Sequence, residues 1–236
     1  MREEADFITR ESGRIRDEYR RRGREVSVDR YAPWQPAEML MRDQRKRVAA
    51  RMLRLAGAFP GPQDACLEVG FGSLGWLGDL ITWGAREQNL HGIELDQHRA
   101  RQAQEALPIA DLRVGNGVEL PWDSNSFHLV IASTVFTSIL DEDVRRLLAA
   151  EITRVIRPGG VLLWYDFAVN NPNNRNVRRV SRKELRQLFP ELSGDVKSVG
   201  LAPPLARLIA PASWPAAVFL EGLPLLCTHL LAVLVK

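Results

Sequence analysis

The stretch Ala65-Cys66-Leu67-Glu68-Val69-Gly70-Phe71-Gly72-Ser73-Leu74-Gly75 constrains this chain more than any other. A short apolar run ends in an acid, and three glycines follow at G-x-G-x-x-G spacing. Trp76 to Ala85 then reads as a helix. The form predicted is strand, tight turn, helix. Glycine permits φ > 0 in the turn and leaves no Cβ between the backbone and a ligand. The following helix aims its first N–H groups and the positive end of its dipole at the same spot, which makes a seat for a nucleotide cofactor. Taken alone, the spacing suits equally well glycines that only punctuate a βα connection.

The surrounding pattern shifts that balance. Strand-like runs at about 65–70, 89–95, 110–115, 128–134, 160–167, 195–201 and 227–235 alternate with helical stretches at about 76–85, 97–106, 141–156, 181–190 and 212–223. Such alternation predicts an α/β fold, a mostly parallel sheet with helices on both faces. Ser181-Arg182-Lys183-Glu184 has the capping-box pattern of a helix start. Arg157-Pro158-Gly159-Gly160 reads as a helix stop and a sharp turn into the fifth strand. Upstream, residues 1 to about 30 form a charged helix with Phe7, Ile8, Ile15 and Tyr19 on one stripe. Tyr31-Ala32-Pro33-Trp34-Gln35-Pro36 breaks it, a second helix runs from about 37 to 56, and Phe59-Pro60-Gly61-Pro62 closes the arm. The expected division is a helical arm or lid over 1–62 and an α/β domain over 63–236, with every cofactor contact after Pro62.

Composition narrows the function classes. With 45% hydrophobic and 26% charged residues, the 236-residue chain is neither disordered nor fibrous. The net charge of +3 is concentrated in the arm, at Arg20-Arg21-Arg22 and Arg45-Lys46-Arg47. Such clusters meet phosphate, acidic lipid or nucleic acid, and more often form a solvated helix face. The two cysteines, Cys66 and Cys227, lie in apolar runs and read as buried thiols. With no apolar run after Met1, the expected localisation is cytoplasmic. Pro215, Glu221, Pro224 and His229 interrupt the apolar final stretch, so a core helix and a buried last strand are expected there, with peripheral membrane contact left open.

Glu94 closes the second strand, where a carboxylate accepts both hydroxyls of a ribose. Asp96 competes for that role, and capping the next helix suits it better. Dinucleotides and S-adenosylmethionine share such a seat. Glu68, two positions before Gly70, would repel a pyrophosphate and suits a cofactor with an amino group and a sulfonium.

On these residues the chain resembles the class I S-adenosylmethionine-dependent methyltransferases, in their small-molecule branch. Glu68-Val69-Gly70-Phe71-Gly72 resembles the family's first motif and Gly92-Ile93-Glu94 its second. Gly115-Asn116-Gly117, Leu120-Pro121-Trp122 and Ser126-Phe127-His128-Leu129-Val130 are similar to its third and fourth segments. Glu151-Ile152-Thr153-Arg154-Val155-Ile156-Arg157-Pro158-Gly159-Gly160 resembles the helix and turn after the fourth strand. The resemblance implies a Rossmann-like seven-stranded sheet in order 3-2-1-4-5-7-6 with the last strand antiparallel. It implies S-adenosyl-L-methionine as cofactor, held by Glu68, Gly70, Gly72, Gly75, Glu94, Leu95, Asn116, Gly117 and Ser133. Three departures stand out. Asn116 and His128 occupy positions where the family commonly has acids, and Ser133 to Ser138 lacks the histidine many relatives carry.

Methyl transfer from a sulfonium is largely a matter of holding donor and acceptor in line. A hydroxyl acceptor still needs a base. The expected candidates are Asp166 as base and Tyr165 to orient the substrate, with loop anchoring an equal alternative for Asp166. Tyr31, Trp34, Thr137, Asn170 and Asn171 are expected to touch the acceptor. The last two belong to the loop Asn170-Asn171-Pro172-Asn173-Asn174-Arg175, which suits a polyhydroxylated molecule or an ordinary turn. The acceptor expected is a small molecule, glycan or lipid-linked intermediate, methylated at oxygen. RNA or protein methylation through the basic arm is the rival, with nucleic acid disfavoured, and a non-catalytic cofactor-binding subunit is the third reading. No metal is expected, since Asp141-Glu142-Asp143 is explained by acids opening a helix.

Overall fold

The computed structural model describes residues 2–25, 27–172 and 174–236. Seven strands form one sheet: β1 Cys66–Val69, β2 Leu90–Glu94, β3 Asp111–Val114, β4 Phe127–Ser133, β5 Ile156–Phe167, β6 Ser193–Leu201 and β7 Cys227–Val235. Their order is β3-β2-β1-β4-β5-β7-β6. β1 to β5 run parallel, and β7 lies antiparallel between β5 and β6. This is the Rossmann-like order expected.

Strand alternation sends side chains to two faces. On one face Leu67, Val69, Val130, Leu162 and Trp164 pack with Val144, Leu148, Ile152 and Val155 of α5 (Glu142–Val155) and Leu185 of α6 (Arg182–Leu188). Phe7, Ile8 and Ile15 of α1 (Arg2–Glu25) close over the same cluster. On the other face Cys66, Leu129, Ile131 and Leu163 pack with α2 (Pro36–Leu55), α3 (Leu77–Thr82) and α4 (Gln97–Ala106). Ala49, Met52 and Leu53 of α2 are part of that core.

Two local expectations change. Arg157-Pro158-Gly159-Gly160 does not precede the fifth strand but lies inside it, where the register against β4 shifts between Phe127 and Leu129. Gly159 takes φ +73° there and donates to the Lys236 carbonyl at 2.9 Å. A helix not expected, α7 (Pro203–Ile209), precedes α8 (Trp214–Glu221). Pro203 and Pro204 open α7, a position where the missing N–H costs nothing.

Candidate active site

The carboxyl ends of β1 to β4 open onto one cavity of about 680 Å³. It lies where the strand order reverses at β1 and β4, the usual crevice of an open α/β sheet. All nine residues expected to hold the cofactor line it, from Glu68 and the three glycines to Glu94, Leu95, Asn116, Gly117 and Ser133.

The glycine loop is built from the inside. Gly70, Gly72 and Gly75 have φ of +70°, +62° and +53°. A Cβ on Gly75 would strike Glu68 at 2.3 Å, whereas one on Gly72 would meet nothing within 4 Å, so the space above the loop is open to a ligand. Glu68 itself is buried, and its Oε2 accepts the Trp76 N–H at 2.7 Å. Burial pushes its pKa up to about 8, against the pull of the Trp76 and Leu77 N–H groups and of Arg45. Through the bond to Trp76, Glu68 fastens the loop to the start of α3.

Glu94 accepts from the Gly72 N–H at 2.8 Å with one oxygen and from the Asp96 N–H at 2.9 Å with the other. Each oxygen keeps a second lone pair, enough for a pair of ribose hydroxyls. Asp96 caps α4 by accepting from His98 and Arg99, each at 3.0 Å. We expect Glu94→Ala to lower donor affinity at least about tenfold, since charge-assisted hydrogen bonds carry about 1.5–3 kcal/mol each. Asp96→Ala should instead lower stability by about 1 kcal/mol, the value of an N-cap. Calorimetric titration and thermal melts of both variants check this, and a larger affinity loss at Asp96 would reassign the ribose acid.

Asn116 is engaged at both ends. Its Oδ1 accepts the Val118 N–H at 3.2 Å, and its Nδ2 donates to Ser12 Oγ at 2.9 Å. Ser12 belongs to α1, which lays Glu11, Ser12, Ile15 and Tyr19 along the cavity. The helix is latched on both sides. Glu11 accepts from the Leu140 N–H, Arg14 donates to the Ser138 carbonyl, and Asn176 donates to Glu18 at 2.7 Å. The Arg99 guanidinium lies 4.2 Å over the Tyr19 ring. The arm ahead of Pro62 thus supplies part of the cavity wall. The apolar stripe of α1 was readable, but its polar partners lie too far along the chain for spacing to reveal them.

The expected acceptor side is largely reassigned. Asp166 is fully buried and is not in the cavity wall. Its carboxylate accepts the Thr137 N–H at 3.0 Å, the Thr137 hydroxyl, and the Phe167 N–H at 2.9 Å. Burial raises its pKa to about 6. These bonds anchor the turn after β4, the alternative role expected for Asp166, and they occupy the carboxylate that a base would need free. Thr137 lines the cavity, but its hydroxyl is committed to Asp166. Tyr165 points away, stacked on His229 at 4.9 Å, and burial raises its pKa. Trp34 is 66% exposed and outside the wall. Asn170 and Asn171 are also exposed outside it, Asn170 accepting from the Arg179 N–H at 2.9 Å, and Asn173 lies outside the described residues. Tyr31 alone of these reaches the cavity wall with its role open.

Two residues of α2 take the vacated ground. Arg45 lines the cavity with its guanidinium 4.7 Å over Trp76 and 5.1 Å over Tyr165, and its Nε is buried without a hydrogen-bond partner. Glu38 lines the cavity too, and its Oε1 is likewise buried and unpartnered. Burial raises the Glu38 pKa, opposed by Arg207, Arg42 and Arg45. Nearby, Thr134 sits at φ +58°, a left-handed conformation that a β-branched residue rarely adopts and that collects at functional sites. Of the other cations on α2, Lys46 pairs with Asp79, and Arg47 with Asp43 and Glu221. Among the described residues, no helix is long and apolar enough to cross a membrane.

Comparison with known proteins agrees with this geometry. Residues 67–164 match the family model described as a methyltransferase domain. A probable S-adenosylmethionine-dependent methyltransferase of Mycolicibacterium smegmatis is 34% identical over 107 residues, 45% of this chain and 37% of that one. A phthiotriol/phenolphthiotriol dimycocerosates methyltransferase of Mycobacterium tuberculosis is 36% identical over 100 residues, 42% of this chain and 34% of that one. The chain thus spans well under half the length of these curated relatives. In fold it is similar to a putative sarcosine dimethylglycine methyltransferase from Galdieria sulphuraria, with a TM-score of 0.62 at 16% identity over 81% of this chain and 84% of that one. Over residues 67–164 the chain matches a methyltransferase domain, and these similarities support a class I S-adenosylmethionine-dependent methyltransferase.

Proposed function

We propose that this chain transfers a methyl group from S-adenosylmethionine to an oxygen of a small acceptor, or of the small head of a glycan or lipid-linked one. The observation that carries this is a single cavity holding both a nucleoside seat and, beyond it, two buried charged atoms with no partner of their own. Its volume of about 680 Å³ lies within the range of small-molecule sites, roughly 300–1,000 Å³. When bound, the cofactor supplies an electrophilic methyl on a sulfonium.

The residues divide the remaining work. Glu94 takes the ribose hydroxyls, and Asn116, steadied by Ser12, faces the adenine. Arg45 offers Nε to the carboxylate of the donor's amino-acid end, held rigid by the two rings it stacks on. Glu38 would accept the acceptor's hydroxyl proton, and its raised pKa brings it closer to neutral, where a base works best. α1 excludes water from the cavity, which strengthens each of these polar contacts.

Donor binding is the direct test. S-adenosylmethionine or its demethylated product at 100 times Kd should stabilise the fold by about 2.7 kcal/mol, read as a rise in melting temperature. NAD and NADP should leave it unchanged. Tight NAD binding with no response to S-adenosylmethionine would end this reading.

A further inference from the structure

We propose that the segment between β6 and β7, from Ala202 to Leu226, is a docking surface for the interface of an anionic membrane. Ala206, Ala210 and Ala217, with Leu205, Ile209, Leu220 and Leu226 partly buried beside them, pack against Ala37 and Leu40 of α2 and Leu201 of β6. A second set of large apolar side chains faces solvent: Leu208 is 72%, Phe219 71% and Leu225 98% exposed, and Trp214, Val218 and Leu223 are each more than a third exposed. A surface helix ordinarily gives that outer face to polar residues. Single exposed apolar residues need no explanation, but a contiguous set on elements packed together does. Here α7 packs on α8, and α8 on the turn Pro224–Leu226.

Charge selects the occupant. The segment carries two charged side chains, Arg207 and Glu221. Glu221 is buried and paired with Arg47 at 2.7 Å, so the segment shows no acid to solvent and its one cation is the half-buried Arg207. The exposed Arg42 of α2 and Arg207 both bear on Glu38 electrostatically. Apolar side chains beside cations, with no exposed acid in the segment, complement a bilayer surface bearing anionic headgroups. Helices of seven and eight residues are far too short to span a bilayer, so the chain would lie on it. The surface also leads to the cavity, since the Arg207 guanidinium sits 5.8 Å from the centre of the Tyr31 ring, and Tyr31 lines the wall. An acceptor with an apolar tail could thus reach the site from the lipid side.

Sedimentation of the full chain with phosphatidylcholine vesicles, with and without phosphatidylglycerol, tests this without any methyl donor, so it stands or falls apart from the transfer reading. We expect binding to the anionic vesicles that weakens as salt screens the arginines. The combined variant Leu208→Ser, Phe219→Ser and Leu225→Ser should lose at least about tenfold in vesicle affinity, since each removes an apolar side chain from the contact. Its melting curve should change little because these side chains are largely exposed. The proposal is overturned if the wild-type chain stays in solution with both vesicles, or if the variant binds as well as wild type. It is also overturned if neither binds and the wild type is a dimer that the variant dissociates, which would make the patch a self-association face.

Discussion

Glu38→Gln should lower kcat by about 10²–10⁴-fold, the contribution of a general base, while donor affinity holds. The carboxylate lies in the first turn of α2, half-buried, with one oxygen on the cavity side that nothing in the chain satisfies. Burial outweighs the three arginines near it and lifts its pKa above the ordinary glutamate value. A base acts in its ionised form, so the wild-type rate should rise with pH through that raised pKa and level off above it. The glutamine variant keeps the shape and cannot titrate, so this acid limb should vanish along with the rate. An acid in a first helical turn also stabilises the helix dipole, which predicts a small drop in melting temperature and no change in the pH profile. Turnover against pH on both proteins, once an acceptor is in hand, separates the two. A variant with wild-type kcat and an intact acid limb would remove Glu38 from the reaction.

Asp166→Ala should behave as a lesion of the fold. Three donors converge on this carboxylate: the Thr137 N–H, the Thr137 hydroxyl and the Phe167 N–H. Removing it leaves buried donors unsatisfied at about 1–3 kcal/mol each, so a loss of about 3–5 kcal/mol is expected. Asp166→Asn should lose less, since one oxygen remains to accept. The asparagine variant also isolates the titration. Burial raises the pKa of Asp166 from 3.8 to about 6, so the native state holds its proton more tightly than the unfolded chain does. The sign is therefore opposite to that of a salt-bridged acid. Ionised Asp166 opposes folding at neutral pH, by about 3 kcal/mol for a shift of this size, and the penalty fades as pH falls from about 6 to about 4. Wild type should gain stability relative to Asp166→Asn across that window. Urea melts at several pH values check it. Full stability of Asp166→Ala together with lost turnover would return this residue to the chemistry.

What could be read ahead of the structure follows how local each feature is. The glycine turn, Glu94 and the Asp96 cap are set by residues a few positions apart within βα units, where turn chemistry leaves a mark on spacing. The sheet order came through resemblance, built on five segments in sequence. Misplaced features depend on contacts that spacing does not encode. Thr137 reaches Asp166 across 29 positions, and Asn116 reaches Ser12 across 104. An aspartate at a strand end looks reactive until a neighbouring loop is seen to consume its lone pairs. Glu38 and Arg45 were hidden for the complementary reason. On α2 Arg45 reads as one charge of a basic cluster and Glu38 belongs to no motif, and only the packing of that helix against the sheet brings both to the cavity.

The latching of α1 bears on timing. Ser12 rests on Asn116, and the helix is pinned on either side at Leu140 and Asn176. Under the proposed methyl transfer, a donor seated with its adenine beside Asn116 would exchange faster when these polar fasteners let go. Weakening them would then speed exchange without touching the carboxylates or the glycine turn, so that the pace of turnover would be set by the seating of a helix.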